Sequence, residues 1–187
     1  MGARASSPAL LGGMALNALS YHVMDRYIWR NVATPELFGA ITALCETWEP
    51  RHLVIDATGL GAGLATLLGR ALGSRVIPFV FTAQSKSDLG WRFLSICNAG
   101  RFRDHRDDGS PEQAQFWREV AACEYETLPG PGQRIRWGVR DPQIHDDALI
   151  CAALCAVIDA DYGALPQPSQ IIAAPDPLDE NQVPGTF

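Results

Sequence analysis

The stretch Leu53-Val54-Ile55-Asp56-Ala57-Thr58-Gly59-Leu60-Gly61-Ala62-Gly63 decides how the rest of the chain is read. Three apolar residues, two of them β-branched, predict a short buried strand. It ends in a carboxylate and opens into a glycine-rich loop. Leu64, Leu67, Leu68 and Leu72 then recur at helical spacing, with a stop near Gly73. Val76 to Phe81 is the next apolar run, its Pro78 marking an edge or a bulge. Strand, helix, strand is the rhythm of an α/β sheet with a parallel part, and the carboxyl ends of such strands are where ligands bind. Asp56 therefore stands at a functional edge; a residue capping the following turn is the equally simple structural reading.

Upstream, Tyr21 to Arg30 is rich in aromatic and β-branched residues and predicts a strand. Thr34-Pro35-Glu36 then starts a helix whose apolar face is Leu37, Phe38, Ile41, Leu44, Cys45 and Trp48. Downstream, a helix is expected over Ser87 to Asn98 with Lys86 in the loop before it. A charged connector follows over Arg101 to Gly109, and a further helix over Pro111 to Cys123. Tyr125 to Leu128 and Arg134 to Val139 flank Pro129-Gly130-Pro131-Gly132 and read as a hairpin with an irregular turn. His145 to Ile158 is a last, very apolar helix. Residues 1–20 are expected to be a poorly ordered leader, 21–162 the folded domain, and 163–187 a Pro- and Asp-rich tail.

Composition bounds the function. The 187 residues suffice for one domain, and the net charge of -6 argues against a general nucleic-acid coat. The segment from Lys86 to Arg140 is near neutral and holds nine of the fifteen basic residues, so any contact with a polyanion is expected there. Apolar runs fall far short of the ~20 residues of a membrane span. Met1 to Leu19 superficially resembles a signal peptide, but a leader is the simpler reading. Five cysteines without paired spacing fit a reduced protein that uses them as small core residues.

His145-Asp146-Asp147 opens the last helix. Acids there are stabilised by the helix dipole, a reason to exist without function. On the phase of one continuous helix, Asp147 shares a stripe with Cys151, Leu154 and Ile158; Asp146 shares a side with Ile150 and Ala153. If Asp56 and one of these acids fold together, their repulsion calls for a cation, and all-oxygen ligands suit Mg²⁺ or Mn²⁺. Two such ions about 4 Å apart can drive phosphodiester hydrolysis.

Other motifs fail. Gly59 to Gly63 does not continue as G-x-G-x-x-G, and no acid ends the Val76 to Phe81 run, so a dinucleotide site is disfavoured. No P-loop is present. His105 with Asp104, Asp107 and Asp108 has the look of a metal cluster but also of a solvated loop. Cys151 and Cys155 lack the second pair of a zinc site.

The ordered set VIDATGLGAG, TAQSKSDLGWRFLSICNAGRF, a hairpin, and IHDDALICAALCA resembles the C-terminal nuclease domain of tailed-phage terminase large subunits, over roughly Tyr21 to Ala160. The resemblance implies an RNase H-like fold, a mixed central sheet flanked by helices, here lacking its first strand. It implies Mg²⁺- or Mn²⁺-dependent cleavage of double-stranded concatemeric DNA during packaging, in the cytoplasm of a bacterial host. Asp56 would be the second catalytic acid, Asp147 or else Asp146 the third, with His145 beside the metals. Lys86 would lie near the scissile phosphate or the DNA backbone; Arg101, Arg103, Arg134 and Arg136 would be phosphate contacts that read no sequence. The implied partners are DNA, a terminase ATPase segment, the small terminase subunit and the portal protein.

The family's first acid has no counterpart before Tyr21, where no Asp or Glu occurs. A misplaced start codon, a fragment or a decayed prophage copy would each account for that. Asp25, alternating with Val23 and Tyr27, matches a non-catalytic position and is the one upstream candidate to substitute. The rival expectation is an inactive remnant that binds DNA or packaging partners without cutting.

Overall fold

A computed structural model describes residues 2–6, 20–130 and 132–162, with the backbone alone for 2–6 and 160–162. The expected 163–187 tail lies outside them. Within the span expected as a leader, Gly2–Ser6 forms strand β1, which pairs antiparallel with β2, Ser20–Asp25. Strand β2 is shorter than the sequence predicts. Its alternation buries Tyr21 and Val23, and the chain leaves the sheet at Arg26, whose guanidinium turns to Asp104 at 2.6 Å. Asn31, at φ 55°, then redirects the backbone into α1, Thr34–Trp48, with proline in its first turn as expected.

Strand β3, Leu53–Asp56, leads into α2, Gly61–Leu72, and a single 3-10 turn delivers the chain to β4, Val76–Phe79. The two strands are parallel, Leu53 facing Val76 and Asp56 facing Phe79. Helix α3, Ala83–Asn98, begins earlier than expected, so Lys86 belongs to its first turn and not to a loop. The cause is a reciprocal cap: Thr82 Oγ1 accepts from the Ser85 amide (3.0 Å), and Ser85 Oγ accepts from the Thr82 amide (2.8 Å).

Gly100, at φ 65°, stops α3, and the short strand β5, Phe102–Arg103, returns parallel to β2. Helix α4, Pro111–Ala122, is capped by Ser110. Strands β6, Cys123–Thr127, and β7, Ile135–Val139, form the expected antiparallel hairpin, its turn carried by positive φ at Gly130, Gly132 and Gln133. The single helix expected from His145 to Ile158 divides at Leu154 into α5, Asp147–Ala153, and α6, Cys155–Tyr162. Among the described residues the strands thus mix parallel and antiparallel pairing and distribute over three small sheets, β1-β2-β5, β3-β4 and β6-β7.

The core lies between α3, α4, the α5–α6 segment and β7. Leu89, Phe93, Ile96, Phe116, Ile135, Trp137 and Leu149 fill it, and Ala152, Ala153 and Ala156 let the last helices approach closely. Each large apolar side chain buried there contributes roughly 1.5–3 kcal/mol. Helix α3 is fastened to the hairpin by three hydrogen bonds: Ile135 N–H to Ser87 Oγ (3.0 Å), Trp137 Nε1 to the Lys86 carbonyl (2.6 Å) and Trp91 Nε1 to the Gln133 carbonyl (2.8 Å). All five cysteines are free thiols; Cys45 and Cys155 are buried, and burial pushes the Cys155 thiol up to about 12. Among the described residues no helix is long and apolar enough to cross a membrane.

Candidate functional site

The β3–β4 ladder runs one rung beyond Asp56, because the Ala57 amide donates to the Phe79 carbonyl at 2.8 Å. Asp56 therefore leaves a fixed base. Its Oδ1 accepts from the Thr58 amide at 2.7 Å, the local turn that the capping reading foresaw, while the residue stays exposed. Thr58 Oγ1 in turn accepts from the Phe81 amide at 2.8 Å. That bond joins the loop after β3 to the segment entering α3, where Thr82 caps and the Lys86 amide donates to the Thr82 carbonyl at 2.9 Å. A continuous path thus connects Asp56 to Lys86 at the carboxyl end of the β3–β4 pair.

Lys86 Nζ lies 3.7 Å from Asp146 Oδ2, with side-chain exposures of 38% and 30%. It also stands 5.6 Å from the centre of the Trp137 ring, within cation–π range. The pair rests against Gly138 of β7. That residue has φ 135°, and a Cβ built on it would lie 2.8 Å from Asp146 Oδ2 and 3.5 Å from Lys86 Nζ. Glycine is therefore required twice over, for its backbone conformation and for the space that the carboxylate occupies. Cys123 borders the same spot, its thiol pushed up chiefly by burial and further by the Asp146 charge.

Asp147 is the first residue of α5 and is exposed, as is His145. The stripe expected for Asp147 assumed one helix from His145 through Ile158; α5 instead begins at Asp147, and Asp146, the residue before it, is the acid that meets Lys86. Asp25 is occupied locally, with Oδ1 accepting from the Arg26 amide at 2.8 Å.

The arginines divide. Arg101 is directed inward: Nη1 and Nη2 donate to Asp159 Oδ1 and Oδ2 at 2.7 and 3.0 Å, and the Tyr21 hydroxyl donates to the same carboxylate at 2.8 Å. This hydrogen-bonded guanidinium holds the Asp159 carboxyl below its usual range, while burial, then Asp159, raises the Tyr21 hydroxyl. Arg101 thus staples the end of α3 to α6 and is not a free phosphate contact. Arg136 pairs across the hairpin with Glu126 at 3.1 Å but remains 72% exposed. Arg103 and Arg134 are exposed.

Two features escaped the sequence reading. Glu119 of α4 is 1% exposed; its Oε2 accepts from the Leu149 amide at 2.9 Å and its Oε1 from Gln115 Nε2 at 2.8 Å. Arg26 is buried, over the Phe116 ring at 4.3 Å, with Nη1 on His105 Nε2 at 3.0 Å. The acids around His105 thus belong to a structural network: Gln113 Nε2 adds bonds to Asp104 Oδ2 (3.2 Å) and the His105 carbonyl (3.1 Å). No sequence period marks either feature, since both depend on contacts between distant elements.

Comparison with known proteins agrees with this architecture. No curated protein sequence matches the chain. The solved structure of the large terminase nuclease from thermophilic phage G20c with bound cobalt superposes with a TM-score of 0.55 at 18% identity, over 69% of this chain and 64% of that one. The chain thus spans less than two thirds of that protein, and the likeness is one of fold. Residues 8–135 match the model of the terminase RNaseH-like domain, a span that includes Asp56 and Lys86 and ends before His145. With more than half of its length matched to that model, this chain belongs to the terminase RNaseH-like domain family.

Proposed function

We propose that this domain is a metal-dependent endonuclease that cuts double-stranded concatemeric phage DNA during packaging. Asp56 and Asp146 would be its metal-binding carboxylates, and Asp147 and His145 would border the site. The carrying observation is the bonded path from Asp56 through Thr58 and Phe81 to Lys86, whose ammonium meets Asp146. It supports the reading because it links the turn that holds Asp56 to the helix turn that carries Lys86, the partner of Asp146.

The donor chemistry fits Mg²⁺ or Mn²⁺, since both candidate ligands are carboxylates. Among the described residues no three His, Cys, Asp or Glu side chains converge to hold an ion. The fit is therefore that of Mg²⁺ sites in which one or two carboxylates are completed by water and substrate phosphate. A divalent ion held there supplies Lewis-acid chemistry for phosphodiester hydrolysis. The chain's own residues do the rest. Asp56 is held by the Thr58 amide and is exposed. Lys86 offsets the charge of Asp146 and keeps a positive group beside the phosphate path. Arg103, Arg134 and Arg136 would contact the DNA backbone without reading bases. The ATPase segment, small terminase subunit and portal protein are the partners this role calls for.

Supercoiled plasmid incubated with the protein in Mn²⁺ tests the reading. Nicking by wild type that Asp56→Asn and Asp146→Asn abolish supports it, with Asp147→Asn reporting whether that acid also takes part. Plasmid retained in a gel shift but never nicked overturns the nuclease in favour of a DNA-binding remnant.

A further inference from the structure

Asp146 occupies the N-cap position of α5, yet its side chain makes no capping bond. An aspartate in that place ordinarily turns its carboxylate back onto the amides of the first turn. Here the third amide of the helix, that of Leu149, is taken by Glu119 Oε2 at 2.9 Å, from a residue thirty positions earlier. Asp146 keeps only its backbone role, its carbonyl accepting from the Ile150 amide at 2.8 Å. Its carboxylate is turned the other way, to Lys86 and Gly138.

Glu119 is built for this. It is buried at 1% exposure, and its second oxygen is held by Gln115 Nε2 at 2.8 Å. The Gln115 carbonyl oxygen is in turn fixed by Arg30 Nη2 at 2.6 Å. A buried carboxylate would be costly without such partners, and its bonds to amides are charge-assisted and strong.

We infer that Glu119 is a surrogate cap and a positioning residue: by satisfying the amide that Asp146 would otherwise claim, it releases the Asp146 carboxylate to the functional site. The inference rests on the reading of Asp146 as a metal ligand, and its test separates the two. In isotopically labelled wild type, a scalar coupling across the hydrogen bond should join the Leu149 nitrogen to the Glu119 side-chain carbonyl carbon. A coupling to the Asp146 carboxyl carbon instead overturns the assignment without any variant.

In Glu119→Ala, Asp146 should swing back onto the vacated amide, seen as a changed Asp146 carboxyl carbon shift and a new scalar coupling from the Leu149 nitrogen to the Asp146 carboxyl carbon. Mn²⁺ affinity should fall roughly tenfold or more, as when a group orienting a metal ligand is removed. The rate constant for nicking should fall, with the KM for plasmid unchanged. Glu119→Gln keeps a carbonyl acceptor for Leu149 and should restore metal affinity. Equal metal affinity in wild type, Glu119→Ala and Glu119→Gln, all folded by circular dichroism, overturns the positioning role. Wild type that shows the Glu119 coupling but binds no Mn²⁺ overturns the nuclease reading and leaves the cap assignment in place.

Discussion

Lys86 and Asp146 meet at 3.7 Å although one lies in the first turn of α3 and the other immediately before α5. Both side chains are about a third exposed, so the pair adds little stability; exposed ion pairs give about 0–1 kcal/mol. Its weight is positional. Lys86→Ala is expected to leave the melting temperature nearly unchanged while lowering plasmid nicking, roughly tenfold on the scale of lost orienting groups. A melting curve run beside the nicking assay checks both halves; a large drop in stability with unchanged nicking contradicts the expectation.

Gly138→Ala places a methyl group 2.8 Å from the present position of Asp146 Oδ2 and forces a non-glycine residue to φ 135°. A cost of about 1–3 kcal/mol is expected from the backbone alone. Part of the steric effect should vanish when Asp146→Ala is made as well. Urea unfolding of the two single variants and the double variant measures the coupling; strict additivity means the carboxylate does not occupy that space.

Arg26 and Asp104 form a buried pair, with side-chain exposures of 3% and 8%. Arg26→Ala takes the guanidinium away from the buried Asp104 carboxylate, leaving it the neutral donors of Gln113 and the His105 amide, and should destabilise the fold by about 3–5 kcal/mol. Arg26→Met combined with Asp104→Leu should recover much of this, because a buried pair stabilises little beyond a well-packed apolar one. Chemical denaturation decides; a mild Arg26→Ala phenotype argues against the buried network.

Asp159 contributes to the pH dependence. Its folded-state carboxyl is depressed by Arg101, so its contribution is fully present above the unfolded value, about 4 for Asp. It is lost as pH falls from there through the lower folded value. Asp159→Asn should therefore destabilise the protein at pH 7 and flatten the loss of stability on acidification below about pH 4. Thermal melts of both proteins across that range test it; parallel curves contradict the assignment.

Much of the scaffold was legible. The apolar run at Leu53 and the glycines after Asp56 marked a strand end, Thr34-Pro35 marked a helix start, and Gly73 marked a helix stop, because each acts through neighbours in sequence. The beginning of α3 was misjudged because its reciprocal cap uses serine at the position where glutamate or glutamine is the familiar signal; Thr82-x-x-Ser85 was the available clue. Which of Asp146 and Asp147 turns to Lys86 was left open by sequence, since it depends on where the helix begins: Asp146 is the residue before α5 and Asp147 its first. The inward turn of Arg101 and the capping by Glu119 depend on partners 58 and 30 residues away, which no local pattern records.

Pro78 has one more effect. The Phe79 carbonyl points at β3, since it accepts the Ala57 amide, so the backbone groups of the preceding residue point to the opposite side of β4. A proline there leaves the outward rim of this two-stranded pair without a donor at its centre. A stray strand arriving along that rim finds the ladder interrupted. The domain therefore carries its own guard against edge-to-edge aggregation, set one residue before the end of β4.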